Sequence, residues 1–242
     1  MASDADPYAR IAAAYDAEFS GAEADIAGYA SRGLAGPVLV LGCGTGRVCR
    51  GLAALRPVTG LDRSAPMIHR ARSTSPASVD YVVGDMTSFD LGPFAEVVIP
   101  NASFSFLADR RSRAACLAAC RRALGSGGPL TIDLPMPDYS LLGTPHTPER
   151  PAWGGEMDGR RVTRTREVFR EPVAGRIRLL DRYVFDDEDP ILSELVLHLH
   201  TLDEVEWMLE ANGFYVDAAW GDHAGGPVRE GCDRLLVRAL PL

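Results

Sequence analysis

Lysine and glutamine are absent from this sequence of 242 residues, and asparagine occurs only twice. All 25 basic residues are therefore arginines, and 33 acidic residues outnumber them, which gives a formal net charge of −8. A surface of this charge repels nucleic acid, which argues against an RNA or DNA substrate. No apolar run approaches the ~18 residues that span a membrane, and the first residues show no export signal. We therefore expect a cytoplasmic protein with neither a nucleic-acid nor a membrane partner.

The five cysteines include no C-x-x-C pair. An odd number of cysteines in a reducing compartment indicates free thiols rather than disulfides. Cys116 and Cys120 are one helical turn apart, and we interpret them as small buried packing residues rather than metal ligands. The sequence therefore predicts no metal site.

The most informative stretch is residues 38–47, where an apolar run ends in three glycines at alternate positions, Gly42, Gly44 and Gly46. This pattern predicts a strand that leads into a glycine turn and then into a helix. Glycine permits positive φ angles and the close approach of a ligand, and the start of a helix offers free N–H groups to an anionic group. The stretch therefore predicts a site for a nucleotide or nucleoside cofactor.

The spacing of these glycines separates two kinds of cofactor site. The dinucleotide fingerprint of oxidoreductases is G-x-G-x-x-G, whose third glycine would stand at Arg47. Here that glycine comes one residue earlier, at Gly46, which disfavours a dinucleotide-binding oxidoreductase. A glycine turn without any cofactor is the other alternative.

Acidic residues follow two further predicted strands. Residues 57–61 are followed by Asp62, about 20 residues after the first glycine of the turn, where a carboxylate can accept hydrogen bonds from both hydroxyls of a ribose. Residues 80–84 are followed by Asp85. A single aspartate at a strand end is often a turn or helix-cap residue. Two of them in register with the glycine turn favour a cofactor site.

Together these motifs resemble those of class I S-adenosylmethionine-dependent methyltransferases, whose first motif has the form G-x-G-x-G. The resemblance runs from the Tyr15-Asp16 pair through GLDRSAPMIHRAR and VGDM to TLDEVEWMLEANGF. It implies a Rossmann-like α/β fold with a sheet of seven strands, S-adenosylmethionine as the methyl donor and S-adenosylhomocysteine as the product. The residues that it assigns to the cofactor are Tyr15, Gly42, Cys43, Gly44, Gly46, Asp62, Arg63, Met67, Asp85, Met86 and Pro100.

The same resemblance implies individual roles. Asp85 would accept a hydrogen bond from the adenine amino group, Met67 and Met86 would flank the purine as polarizable walls, and Tyr15 would close over the methyl-donor end. One position departs from the family pattern, because Val40 stands where members carry Asp or Glu to hold the methionine portion. Recognition of the ammonium group would then rest on backbone carbonyls or water.

The loop after the fourth predicted strand, PNASFSFL at residues 100–107, lies beside the transferable methyl group in this fold. Asn101 offers an amide, Ser103 a hydroxyl and Phe104 an aromatic wall, with core packing as the alternative for Phe104. The candidate substrate-binding residues are Tyr8, Ser103, Phe104, Tyr139 and His223.

Histidines distinguish the possible chemistries, because an amine needs only to arrive uncharged whereas a hydroxyl usually needs a general base. His198 and His200 share one face of a predicted strand near the cleft, and His223 lies in a late glycine-rich loop. A structural role is the alternative for each. The candidate catalytic residues are Asn101, His198 and His200.

Alternating strands and helices predict a parallel sheet with a crevice at its carboxyl end. Residues 135–151 are rich in proline and predict a loop, and three segments of alternating polarity within 160–200 predict an antiparallel meander. We expect a single methyltransferase domain over residues 1–242. Its predicted parts are a helical lid at 7–32, a cofactor-binding core at 37–150, an antiparallel insertion at 153–200, and the last helix with a strand hairpin at 201–242.

Residues 96–108 and the C-terminal WGDHAGGPVREGCDRLLVRA resemble small bacterial N-methyltransferases of natural-product pathways, which act on amino sugars or on the N-terminal amine of ribosomal peptides. We therefore expect methyl transfer to a small molecule or peptide, at an amine rather than at oxygen, by a monomer or homodimer. An O-methyltransferase with a histidine base and a non-catalytic S-adenosylmethionine-binding protein are the alternatives.

Overall fold

The computed structural model describes residues 8, 11–19, 23–125, 127–141, 143–157, 160–186 and 189–242, apart from the side chains of Ala13, Tyr139 and Met157. The described helices are α1 (Ala12–Glu18), α2 (Ala24–Arg32), α3 (Arg47–Ala53), α4 (Ala65–Thr74), α5 (Arg110–Ala123) and α6 (Leu202–Glu210). The strands of the first sheet are β1 (Val38–Leu41), β2 (Val58–Asp62), β3 (Val79–Val83), β4 (Glu96–Ile99), β5 (Leu130–Pro135), β10 (Phe214–Trp220) and β11 (Arg234–Pro241). Those of the second sheet are β6 (His146–Met157), β7 (Arg160–Glu171), β8 (Arg176–Phe185) and β9 (Ile191–His198).

The first sheet has seven strands in the order β10-β11-β5-β4-β1-β2-β3. Strands β1 to β5 pair in parallel, whereas β11 is antiparallel to both β5 and β10. The chain order reverses direction across the sheet between β1 and β4, and in open α/β sheets ligands bind in the crevice beside such a point. The predicted seven-stranded α/β fold is confirmed.

Both faces of this sheet are covered, which explains the nearly continuous apolar sequence of its central strands. The residues of β1 alternate between two buried clusters: Leu39 and Leu41 pack on the side of α5 and α6, and Val38 and Val40 on the side of α2, α3 and α4. A sheet fixed on both sides presents the loops at its carboxyl end as a rigid frame.

The second sheet has four antiparallel strands in the order β6-β7-β8-β9, where the sequence predicts a meander of three. The additional strand begins at His146, within the proline-rich stretch predicted as a loop. It is an edge strand, and its register shifts between Thr147 and Arg150 and again between Pro151 and Trp153. Edge positions and bulges tolerate proline, because the missing N–H then breaks no ladder hydrogen bond.

The predicted helical lid at 7–32 is not one helix, because α1 and α2 are separate helices and residues 20–22 lie outside the described part. Helix α1 contacts α4 of the core and β6 of the second sheet. Ile11, just before this helix, and Ala14 within it form a small apolar cluster with Val162, Tyr183 and Phe185 of the second sheet. The N-terminal helix therefore bridges the second sheet and the cofactor-binding core.

Candidate functional site

A cavity of about 1010 Å³ opens at the carboxyl ends of β1 to β4. One side of it is formed by the predicted cofactor motifs, and the opposite side by β8 and β9 of the second sheet. Tyr8 and Tyr15 reach it from the N-terminal segment. The cavity thus lies between the two sheets, beside the reversal in strand order.

The glycine turn has the backbone geometry that its sequence predicts. Gly42, Gly44 and Gly46 have φ angles of 68°, 54° and 81°. A Cβ at Gly42 would lie 2.5 Å from the Ser103 side chain, and one at Gly46 would lie 2.1 Å from the Tyr81 hydroxyl, whereas nothing approaches within 4 Å of that position on Gly44. The turn is therefore packed from two sides and open at its middle glycine, where a ligand fits.

Asp62 lies at the end of β2 and lines the cavity. Its Oδ2 accepts a hydrogen bond from the Gly44 N–H at 2.8 Å, and its Oδ1 accepts one from the Ser64 N–H at 2.9 Å. Each carboxylate oxygen has more than one acceptor site, so the group can still receive the hydroxyls of a ligand. Asp62 therefore couples the glycine turn to the predicted ribose position.

The other predicted cofactor residues divide into two groups. Arg63, Met67, Asp85 and Met86 line the cavity with the open glycine and Asp62. Cys43, Gly46 and Pro100 are absent from the lining among the described residues: the Cys43 thiol is buried toward Gly60, and Gly46 lies against the Tyr81 ring. Val40 is fully buried between its neighbouring strands and contributes no charge to the cavity.

Tyr15 lines the cavity, and its ring meets the Tyr8 ring edge-on at 6.0 Å. Burial raises the pKa of Tyr15 to about 12, which keeps its hydroxyl protonated at neutral pH. Helix α1 is held near its C-terminal end by two ion pairs, from Asp16 to Arg70 of α4 and from Glu18 to Arg164 of β7. The tyrosine is thus presented by an anchored helix.

The loop after β4 enters the cavity at Asn101 and Ser103. Asn101 and Ala102 both have left-handed backbone conformations, with φ angles of 51° and 63°. The Ser103 hydroxyl donates to the Gly42 carbonyl at 3.3 Å, which fastens this loop to the glycine turn. This hydrogen bond directly connects the loop that contains Asn101 and Ser103 to the glycine turn.

The structure does not support every predicted substrate residue. Phe104 is only 1% exposed and belongs to the core, and Phe106 lines the cavity in its place. His223 binds Asp133 behind the loop, at 3.1 Å between Nε2 and Oδ2, and the Tyr139 side chain lies outside the described residues. A 3₁₀ turn at Ser103–Phe106 sets these positions, because it directs the first ring inward and the second outward.

Neither candidate base lines the cavity. Strand β9 ends at His198, and His200 follows it in a loop, so the two do not share a strand face as predicted. His200 is buried against the Phe104 ring, with 6.5 Å between ring centroids. Burial, assisted by the positive charge of Arg113, lowers the pKa of His200 to about 4. No histidine is present among the described residues of the cavity wall.

The sequence analysis placed the antiparallel insertion near the cleft, but it missed the residues with which the second sheet lines the cavity. Glu149, Glu167, Asp181 and Glu194 line the cavity from this side, together with Arg182. Asp181 is paired with Arg166 through two contacts of 2.7 Å. The alternation of charge and apolar residues in these strands was visible in the sequence, but not which edge of the sheet would meet the cavity.

The comparisons with known proteins agree with this arrangement. Residues 38–128 match the model of a family described as "Methyltransferase domain". This stretch of the chain is a methyltransferase domain. It contains the glycine turn, Asp62, Asp85 and the Asn101 loop, so the family predicted from those motifs is confirmed.

Solved structures extend the likeness beyond the methyltransferase domain. The CcbJ methyltransferase from Streptomyces caelestis is 21% identical with a TM-score of 0.78, and the alignment covers 90% of this chain and 88% of that one. CalS10, an amino pentose methyltransferase from Micromonospora echinaspora solved with S-adenosylmethionine, is 23% identical with a TM-score of 0.69, covering 93% and 91%. The glycopeptide N-methyltransferase MtfA, complexed with S-adenosylhomocysteine, is 26% identical with a TM-score of 0.62, covering 89% and 85%.

One curated relative matches a shorter segment. The mycinamicin-resistance protein MyrB from Micromonospora griseorubida is 38% identical over 81 residues, which are 33% of this chain. The match spans about a quarter of the length of that protein, 26%. Within the described ranges, the structure contains no helix that is long and apolar enough to cross a membrane.

Proposed function

We propose that this chain transfers a methyl group from S-adenosylmethionine to an amine nitrogen of a small molecule or peptide. The methyltransferase domain and the cofactors bound in related structures support the reaction class. The named activities of an amino pentose methyltransferase and a glycopeptide N-methyltransferase favour nitrogen as the acceptor atom. The observation that carries the proposal is the cavity itself, where the described cofactor motifs face a wall without histidine.

The residues present fit the cofactor. Open space above Gly44 admits the ligand, and the Asp62 carboxylate that already holds this glycine is placed for the ribose hydroxyls. Asp85 and Met86 lie in the same wall for the adenine, with Met67 beside them. Since Val40 is apolar, the ammonium group of the cofactor is left to backbone carbonyls of the glycine turn.

Methyl transfer from a sulfonium is an in-line displacement, and the bound cofactor supplies the methyl group with its leaving sulfur. The contribution of the protein is to position the nucleophile and to exclude water. Asn101 and Ser103 can hold an acceptor but cannot take a proton near neutral pH. An amine that arrives uncharged needs no such base, which makes it the acceptor that this site fits best.

The acidic side of the cavity favours the same acceptor. Glu149, Glu167 and Glu194 line this side together with Arg182. A negative potential concentrates cations near the opening, including the protonated form of an amine. The neutral fraction of the amine then reacts at the methyl group.

Release of S-adenosylhomocysteine across matched panels of amines and alcohols tests the proposal. We expect transfer to amines only, and we expect His198→Gln and His200→Gln each to change turnover by less than about tenfold. Asn101→Ala should cost more, because small displacements from in-line geometry cost ~100-fold. A histidine variant that lost a thousandfold in rate, with cofactor affinity intact, would instead indicate base-assisted transfer to a hydroxyl, since general-base catalysis contributes ~100- to 10,000-fold.

A further inference from the structure

A buried carboxylate behind the Asn101 loop has no part in the proposed function. Asp133, near the end of β5, has no exposed surface, and its Oδ2 accepts from three side chains that come from separate segments. The Tyr29 hydroxyl, His223 Nε2 at 3.1 Å and Arg234 Nη2 at 2.9 Å all donate to this oxygen. Burial alone would raise the pKa of Asp133, but the hydrogen bond from His223 and the charge of Arg234 outweigh it and lower that pKa.

The same aspartate holds the backbone of the Asn101 loop. The Asn101 N–H donates to Asp133 Oδ2 at 3.3 Å, and the Ala102 N–H donates to the Asp133 carbonyl at 3.0 Å. Two consecutive left-handed residues persist only where their surroundings determine the conformation, since each such non-glycine residue costs ~1 kcal/mol or more. Asp133 holds both residues in this conformation, because its side-chain oxygen accepts from one N–H group and its backbone oxygen accepts from the other.

Arg234 fixes which way the Asn101 amide points. Its Nη2 lies 3.3 Å from Asn101 Oδ1 while it also binds Asp133. A guanidinium has donors and no acceptor, so only the amide oxygen of Asn101 can face it. Because the amide nitrogen lies on the other side of the same carbon, its two N–H groups are directed away from Arg234. Among the described residues, this nitrogen has no hydrogen-bond partner.

We propose that Asp133 and Arg234 are positioning residues, which hold the Asn101 NH₂ group toward the cavity so that it donates to an oxygen atom of the methyl acceptor. This inference rests on the proposed function. An amine that attacks the methyl group must keep its lone pair free, and a donor directed at that lone pair would oppose the reaction. The partner of the NH₂ group is therefore a second atom, a hydroxyl or carbonyl oxygen next to the nitrogen.

Matched acceptors test this assignment. The probes are methyl glycosides of aminohexoses and the analogues in which the hydroxyl beside the amine is replaced by hydrogen, compared at equal concentrations of neutral amine. We expect kcat/KM of the wild-type protein to favour the hydroxylated member by about tenfold, the scale of one hydrogen bond. Asn101→Ala removes the amide N–H donors and puts no acceptor in their place for the probe hydroxyl, so this preference should disappear.

Asp133→Asn should reduce the same preference. We expect KM for the hydroxylated probe to rise while kcat changes less. A loss of folded protein alone would lower kcat for both probes and leave their ratio unchanged. Arg238→Gln is the matched control, because it removes an exposed ion pair with Asp217 from the same strand as Arg234. The control should keep the wild-type preference.

Three results would overturn the assignment. If the wild-type protein used the hydroxylated and the deoxygenated acceptor equally well, there would be no contact to the oxygen atom, although methyl transfer to amines would still be supported. If the preference survived in Asn101→Ala, a residue other than Asn101 would be responsible for it. If Asn101→Ala lost tenfold in S-adenosylhomocysteine affinity, measured by calorimetry, the NH₂ group would bind the cofactor rather than the acceptor. Transfer to no amine of any kind would refute the proposed function itself, and this inference with it.

Discussion

Under the proposed function Asp62 has two tasks, because the oxygens that we propose for the ribose also accept hydrogen bonds from the N–H groups of Gly44 and Ser64. We predict that Asp62→Ala weakens S-adenosylhomocysteine binding by ~1.5–3 kcal/mol, the scale of hydrogen bonds to a charged group. Calorimetry measures this directly. Asp80→Ala, which removes an exposed carboxylate from the neighbouring strand, should leave the affinity unchanged. An unchanged affinity in Asp62→Ala would show that Asp62 does not bind the ribose.

His200 makes stability depend on pH in a definite direction. Its pKa in the folded protein is about 4, below the ordinary value of 6.5, so the folded state stays neutral where the unfolded chain binds a proton. The free energy of unfolding therefore decreases as pH falls from 6.5 toward 4, by about 2 kcal/mol at pH 5. Urea unfolding at pH 7.5 and 5.0 should show a smaller difference in His200→Gln. Equal differences in both proteins would contradict the neutral, buried histidine.

At the residue scale, sequence motifs predicted the cofactor side better than the acceptor side. Asp62 and Asp85 each follow a strand and stand in register with a glycine turn, which is a local pattern. Asp133 has no such signature, because its partners Tyr29, His223 and Arg234 meet only in the folded chain. Residue spacing also could not show that Phe104 turns inward.

At the element scale, helix α1 depends on contacts outside itself, since seven residues are too few for an independently stable helix. Glu18 binds Arg164 at 2.9 Å, and both side chains are about one-tenth exposed. We predict that Glu18→Gln lowers the free energy of local opening of α1 by up to about 3 kcal/mol, because it removes the nearer of the two carboxylates that pair with the buried Arg164, the other being Asp181 at 3.6 Å. Hydrogen exchange of the α1 amides measures this opening.

The double variant Glu18→Gln/Arg164→Met provides the control. Replacing both side chains removes the arginine that has lost its nearer carboxylate, while Asp181 keeps its ion pair with Arg166, so α1 should open less than in the single variant. Cofactor should protect α1 in the wild-type protein, because Tyr15 of this helix lines the same cavity as Asp62. Exchange that is indifferent to both the substitution and the cofactor would contradict the predicted lid.

Elements with a strong period were predictable, and those whose period is broken were not. The apolar runs of β1 and β4 and the alternating segments of β7 and β8 were found within a few residues. Strand β6 was missed because Pro148 and Pro151 are typical of loops, and the bulges that accommodate them depend on pairing with β7. The register of a bulged edge strand is a tertiary property.

At the scale of the molecule, charge should govern how a cationic acceptor arrives. The chain has a formal net charge of −8, and acidic side chains line the cavity. We predict that kcat/KM for a protonated amine acceptor falls severalfold between 0.01 and 0.15 M salt, as the Debye length shortens from ~30 to ~8 Å. Steady-state kinetics should show kcat much less affected.

Glu194→Gln and Asn101→Ala separate the causes of that dependence. The first should weaken the salt dependence of kcat/KM, because it removes an exposed negative charge from the wall. The second should lower the rate while the salt dependence stays. A rate that rose with salt would show that the acidic wall repels the acceptor.

The class of the whole fold could be predicted because a parallel sheet with helical crossovers repeats one local unit. The sequence also placed the predicted strand with His198 and His200 near the cleft. It could not show which residues of the second sheet face the cavity, since this depends on how that sheet packs against Ile11 and Ala14.

The order of the strands also bears on the order in which the two sheets form during folding. In the second sheet every neighbour in space is the neighbour in sequence, so three successive hairpins assemble it from local contacts. In the first sheet Arg234 pairs with Pro135 across the whole of that insertion. Local contacts form faster than distant ones, because less chain entropy is lost on closing them. We therefore expect the antiparallel hairpins of the second sheet to form before β11 pairs with β5.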